Sequence, residues 1–174
     1  IAWSTLFARS QPLEIELGSG DASFLIEWAR RNPERNFLGV ERLKGRLRKL
    51  ERKGSRAGLT NLRGLRLEAA YFVEFMIPPA SVAAFHLYFP DPWPKKRHHK
   101  RRLLKPGFVH ELARRLAPGG YLHVATDWED YAHEALATLQ AEPLLANTAA
   151  DFAPRPAYRP LTKFEARGLK QMND

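Results

Sequence analysis

The chain has no cysteine among its 174 residues, and that one absence removes disulfides, cysteine-ligated zinc and thiol catalysis together. It is compatible with a reducing cytoplasm, the location expected here. Long apolar runs are missing as well. The most apolar stretch, Ala69 to Phe89, is interrupted by Glu74, Pro78 and Pro79, so it cannot supply the roughly 20-residue helix a membrane span requires. The opening Ile1-Ala2-Trp3-Ser4-Thr5-Leu6-Phe7 has no basic start and no long apolar core, which argues against a secretory leader. It also lacks an initiator methionine, so residues are expected upstream. Acidic residues are in deficit, 19 against 28 lysines and arginines, for a formal charge of +9. Such an excess points to an anionic partner.

What is present is unevenly distributed. Seven cations (Arg42, Lys44, Arg46, Arg48, Lys49, Arg52, Lys53) against Glu51 give one segment +6, and Lys95 to Arg102 carries another +6, leaving the rest at −3. The basicity is two patches on a mildly acidic body. With 44% hydrophobic residues, this length suits a single domain over 1–174, with 1–12 as an N-terminal segment.

Short apolar runs alternate with longer amphipathic ones, which predicts an α/β fold with a mostly parallel sheet and helices on both faces. Strands are expected at Leu13–Leu17, Phe37–Val40, Leu62–Leu67, Val82–Tyr88 and Tyr121–Ala125. Helices are expected where Phe24, Leu25 and Trp28 share a face before Asn32-Pro33, and where Leu43, Leu47 and Leu50 form a stripe opposite the first basic patch. A third carries Phe108, Leu112 and Leu116 up to a stop at Pro118-Gly119-Gly120, and a fourth carries Tyr131, Ala135, Leu136 and Leu139. After Pro143 the pattern dissolves.

Two stretches carry chemistry. The first strand runs into Gly18-Ser19-Gly20, whose glycines let backbone approach a ligand at a helix start. A dinucleotide fingerprint would need glycine at Ser23, which disfavours nicotinamide chemistry. The second strand ends on Glu41, placed either to accept both hydroxyls of a ribose or to serve as a helix-start acid. Further on, Phe89-Pro90-Asp91-Pro92-Trp93-Pro94 presents a carboxylate and an aromatic plate beside Lys95-Lys96-Arg97-His98-His99-Lys100-Arg101-Arg102. That arrangement suits a base stacked next to a phosphate backbone, or else a rigid turn followed by a solvated basic loop. His98 and His99 lack acidic neighbours, so no metal is expected.

Three separated motifs, Phe89 to Trp93 with its basic run, Ala125-Thr126-Asp127-Trp128, and Arg159-Pro160-Leu161-Thr162-Lys163-Phe164-Glu165-Ala166-Arg167-Gly168, stand in an order that resembles the bacterial tRNA (guanine-N7-)-methyltransferases of the TrmB family. The resemblance runs from about Leu13 to Gly168. It implies a Rossmann-like class I fold, S-adenosyl-L-methionine as methyl donor, and transfer to N7 of a variable-loop guanine in tRNA. By position it implies that Glu14, Gly18, Gly20, Glu41, Glu68 and Asp91 surround the donor, with Asp91 at the reacting centre. Lys95, Asp127, Thr162, Lys163, Phe164 and Glu165 would hold the substrate nucleotide, making 154–174 a substrate-binding tail. Arg97, His98, His99, Lys100, Arg101 and Arg102 would contact RNA. The family has a small residue where Glu16 stands, an aspartate where Glu68 stands, and a closing strand where this chain stops nine residues after Glu165. The sheet is therefore expected either cut short or completed differently.

Guanine N7 carries an in-plane lone pair and no proton, so attack on a sulfonium methyl needs alignment more than a strong base. Asp91 is expected to stabilise the positive charge arriving on the purine. Asp127 or Glu165 would pair with the N1–H and N2 amino group; Asp127 is also a candidate cap for the helix near Trp128. Two other classes stay open: a non-catalytic RNA-binding module, and a nucleic-acid amino-methyltransferase, whose acid-Pro-Pro-aromatic motif Pro90-Asp91-Pro92-Trp93 loosely resembles.

Overall fold

The computed structural model describes residues 1–173. Five strands, β1 (Leu13–Leu17), β2 (Asn36–Val40), β3 (Leu62–Leu65), β4 (Val82–Tyr88) and β5 (Leu116–Ala125), form one parallel sheet in the order β3-β2-β1-β4-β5. Six helices accompany them: α1 (Ser23–Arg31), α2 (Lys44–Arg56), α3 (Ala69–Met76), α4 (Pro106–Arg115), α5 (Glu129–Gln140) and α6 (Lys163–Asn173). Two 3-10 helices cover Trp3–Thr5 and Lys96–Arg101. No helix among the described residues is long and apolar enough to cross a membrane.

Alternation along β1 sends Leu13, Ile15 and Leu17 to one face and Glu14 and Glu16 to the other. The first face joins Leu38, Val40, Phe85 and Leu87 under Phe72, Val73, Val109, Leu112, Tyr131 and Ala135 of α3, α4 and α5. The second is packed by α1 and α2 through Phe24, Leu25, Ala29 and Leu50. Helix α2 lies close on this face because β2 has glycine at 39, where a Cβ would stand 2.5 Å from Leu50 Cδ1.

Two expectations change. The run before Pro118-Gly119-Gly120 was expected to keep Leu116 in a helix; instead Leu116 begins β5, pairing with Val82, and Ala117–Gly120 loop out before Tyr121 rejoins opposite Ala84. The Pro-Gly-Gly turn is an excursion within the strand rather than its preface. Helices α3 and α6 are additions to the expected elements, and β5 is the last strand among the described residues, followed by α5 and α6.

Candidate functional site

A cavity of about 340 Å³ opens at the carboxyl ends of the strands, where doubly wound sheets bind ligands. Leu17 and Gly18 at the end of β1, Val40 and Glu41 at the end of β2, Glu68 before α3, and Leu87 to Asp91 at the end of β4 form its walls, with Trp93 and Arg101. The glycine turn is set by left-handed backbone at Gly18 (φ +75°) and Gly20 (φ +56°). Glu41 fastens it: one carboxylate oxygen accepts from Gly20 N (3.0 Å), and the other accepts from Leu43 N (2.9 Å), which leads into α2. Each oxygen keeps a further lone pair, so Glu41 serves as a helix-start acid and still faces the pocket. Glu68 caps α3, accepting from Ala70 N and Tyr71 N at 2.9 and 2.8 Å.

The reacting-centre candidate, Asp91, is exposed, and its Oδ1 accepts from Trp93 N at 3.0 Å. Flanking it, Phe89 (φ +50°) and Trp93 (φ +45°) occupy the left-handed region that bulky side chains avoid. Such strain costs about 1–3 kcal/mol per residue and is held here by surrounding contacts. Phe89 N donates to Ala125 O (2.7 Å), and its ring meets Phe164 at 4.8 Å between centroids. Because β4 and β5 are neighbours, Asp91 and Asp127 leave the same end of the sheet. Asp127 is exposed and makes no hydrogen bond to the described residues; Thr126 Oγ1 accepts from Trp128 N in its place.

Thr162 and Glu165 form a reciprocal capping box: Thr162 Oγ1 accepts from Glu165 N (3.1 Å), and Glu165 accepts from Thr162 N (2.8 Å). Glu165 also receives Arg155 and Arg159, and although burial raises its carboxyl, these partners hold it below the ordinary value. Its oxygens are thus committed within the protein. Lys163 N donates to Ser23 Oγ at 3.2 Å, docking α6 against the start of α1. Lys95 is exposed, with its carbonyl accepting from His98 N.

The geometry places three expected site residues, Glu14, Arg102 and Gly20, elsewhere. Glu14 does not line the cavity. It is 1% exposed, and its carboxylate accepts from His86 Nε2 (2.7 Å), Trp28 Nε1 (3.2 Å), Tyr121 OH (3.2 Å) and Arg35 (3.3 Å). Burial raises this carboxyl, but His86 foremost, then Trp28 and Arg35, pull it below 4.5. Arg102 is no surface RNA contact either. Its side chain is fully buried, donating to Pro92 O (2.7 Å), Asp130 (2.8 Å) and Glu134 beneath the Tyr131 ring. It ties the Asp91 loop to α5. Arg97, Lys100 and Arg101 remain exposed, His98 and His99 are half-buried, and Arg101 covers the Trp93 ring that was expected to stack a base. Gly20 shapes the turn through its bond to Glu41 rather than lining the cavity.

Sequence reasoning missed a buried polar chain on the α1 side. His86 Nδ1 meets Tyr88 OH at 2.7 Å, Tyr88 OH meets His123 Nδ1 at 3.0 Å, and the Arg159 guanidinium lies 4.7 Å from the centre of the Tyr88 ring. Burial, then Arg159 and His86, push His123 down to about 4, so it is neutral at physiological pH. Among the described residues no three potential ligands gather as a metal site.

A parallel sheet in this order, with a glycine turn, an acid closing β2 and a cavity over the strand ends, is the arrangement on which class I methyltransferases, the class that takes its methyl group from S-adenosylmethionine, are built. The solved 16S rRNA methyltransferase KamB shares the fold, with a TM-score of 0.57 at 21% identity over 82% of this chain and 65% of that one. A family model described as "Putative methyltransferase" matches residues 10–174. The tRNA (guanine-N(7)-)-methyltransferase of Nitrosomonas eutropha is 49% identical over 166 residues, 95% of this chain and 74% of its own. That of Bordetella pertussis is 55% identical over 166 residues, 94% of this chain and 65% of its own. The chain belongs to the TrmB family of bacterial tRNA (guanine-N7-)-methyltransferases. It spans between 65% and 74% of the length of these two relatives.

Proposed function

We propose that the chain transfers the methyl group of S-adenosylmethionine to N7 of a variable-loop guanine in tRNA, a reaction of the cytoplasm. The observation that carries this reading is the exposed carboxylate of Asp91 in the cavity wall, with a second exposed carboxylate, Asp127, following the end of the neighbouring strand. The cavity is large enough for a nucleoside-sized group, its Leu17, Val40 and Leu87 surfaces are apolar, and Glu41 has lone pairs to spare for ribose hydroxyls. Bound there, the donor would supply an electrophilic methyl group on a sulfonium.

The protein's own part is alignment and charge. Guanine N7 needs no proton removed, so the walls around Asp91 have to hold the base rather than activate it. As positive charge develops on the purine, the Asp91 carboxylate stabilises it, fixed in place by Trp93 N and the strained backbone on either side. Asp127, rather than the committed Glu165, accepts from guanine N1–H and its amino group; adenine presents no such pair of donors. Lys95 and the exposed cations Arg97, Lys100 and Arg101 meet phosphates.

The test is incubation with unmodified tRNA and labelled S-adenosylmethionine, followed by nucleoside analysis. Label in 7-methylguanosine is expected, and Asp91→Ala should lower turnover by roughly a hundredfold or more while tRNA binding persists. Label in N6-methyladenosine, or no transfer by a folded, tRNA-binding preparation, overturns the reading.

A further inference from the structure

Several arginines on this surface are answered by acids. Arg30 and Arg31 pair with Glu27, Arg114 and Arg115 with Glu111, and Arg155 and Arg159 with Glu165. The broad recess of about 680 Å³ between α1 and the C-terminal segment is therefore lined by cations already neutralised. Helix α2 is different. Lys44, Arg48, Arg52 and Arg56 fall at successive i, i+4 positions, Arg42, Arg46 and Lys49 flank them, and all seven are exposed. Among the described residues, none of them forms an ion pair. This arrangement works against the helix itself. Like charges four apart repel, and Lys44 and Arg46 sit in the first turn, where the helix dipole already presents positive charge and no acid offsets it. An anion laid along the helix would remove both penalties.

The position of the row says which anion. Arg42 and Arg46 line the same cavity as Arg101 and Trp93, and the rest of the α2 row continues the charge beyond that cavity. At about 1.5 Å per residue the helix extends the positive track by about 20 Å. We infer that the exposed face of α2 binds the phosphate backbone of the same RNA whose base enters the cavity, so that the substrate lies across α2 as well as the Lys96–Arg101 turn. The inference rests on the tRNA reading above.

The triple variant Arg48→Ala, Arg52→Ala, Arg56→Ala tests it while leaving the cavity mouth intact. Binding of tRNA would be followed against salt concentration. Each lost phosphate contact should flatten the slope of log affinity against log salt by roughly 0.7 to 0.9, so the triple should flatten it by roughly 2 to 3 and weaken binding at least tenfold at moderate salt. The loss should appear in KM for tRNA, with Tm unchanged or raised because repulsion is removed. The matching Lys triple should restore slope and KM. An unchanged slope in the Ala triple overturns the inference, as does capture of anionic phosphatidylserine vesicles through these arginines with tRNA binding untouched. Wild-type protein that binds tRNA with a steep slope lost in the triple, yet forms no 7-methylguanosine, leaves the surface standing and sinks the proposed reaction instead.

Discussion

Beneath α3, α4 and α5 the sheet offers Ile15, Leu17, Leu38, Val40, Phe85 and Leu87, whereas beneath α1 and the C-terminal segment it offers Glu14, Glu16, His86, Tyr88 and His123. Both faces are buried, yet the first is held chiefly by apolar contact, the Tyr131 hydroxyl that accepts from Leu104 N aside. On the second, Glu14, His86, Tyr88 and His123 depend on one another across three strands, and Arg159 and Tyr158 close the chain from outside, Tyr158 stacking on Trp28 at 5.8 Å. A buried apolar residue can be trimmed at the expense of a cavity; a buried polar one cannot be removed without stranding its partners.

Four substitutions probe that contrast. Phe85→Ala, on the apolar face with 0% exposure, should cost about 3–5 kcal/mol in urea denaturation, the largest effect expected. A loss below about 1 kcal/mol would mean that this face is not the stabilising one. Glu14→Ala should cost somewhat less, about 3 kcal/mol, because it strands the His86, Trp28 and Tyr121 donors together. If Glu14→Ala combined with His86→Phe is as unstable as the two losses added, the polar chain is not coupled. The smallest effect belongs to Glu16. Burial first, then the charges of Asp21 and Glu41, push its carboxyl well above 4.5, and its Oε2 has no partner. The folded chain thus keeps a proton that the unfolded chain gives up above about pH 4.5, so stability falls as pH rises through that window. Glu16→Gln, always neutral, should match the wild type near pH 4 and exceed it by on the order of 1 kcal/mol at pH 8. Equal stability at both pH values would show Glu16 to be solvated rather than held neutral.

The sheet was legible because burial imposes period. Leu13–Leu17 and Val82–Tyr88 coincide with β1 and β4, and Phe24, Leu25 and Trp28 revealed α1. Helix α3 escaped because Glu74 is its one charged residue, leaving Phe72 and Val73 buried and Tyr71 and Phe75 exposed, with too little polar surface to mark a period. Helix α6 could have been found, since Thr162-x-x-Glu165 spells its capping box. Site residues at strand ends followed from topology, but the basic run did not divide itself. Nothing local separates Arg101 from Arg102; the difference lies in Asp130 and Glu134, whose approach only the packing of α5 reveals.

That packing bears on how the molecule opens. If the Pro92 segment peeled away alone, Arg102 would either leave two carboxylates behind or stay and forfeit its bond to the Pro92 carbonyl. Neither course is cheap, so the Asp91 loop and the first turns of α5 should open as a single cooperative unit. Amide hydrogens in the two segments, far apart in sequence, should then exchange with solvent at one common opening free energy, while the exposed Lys96–Arg101 turn between them exchanges on its own, faster clock.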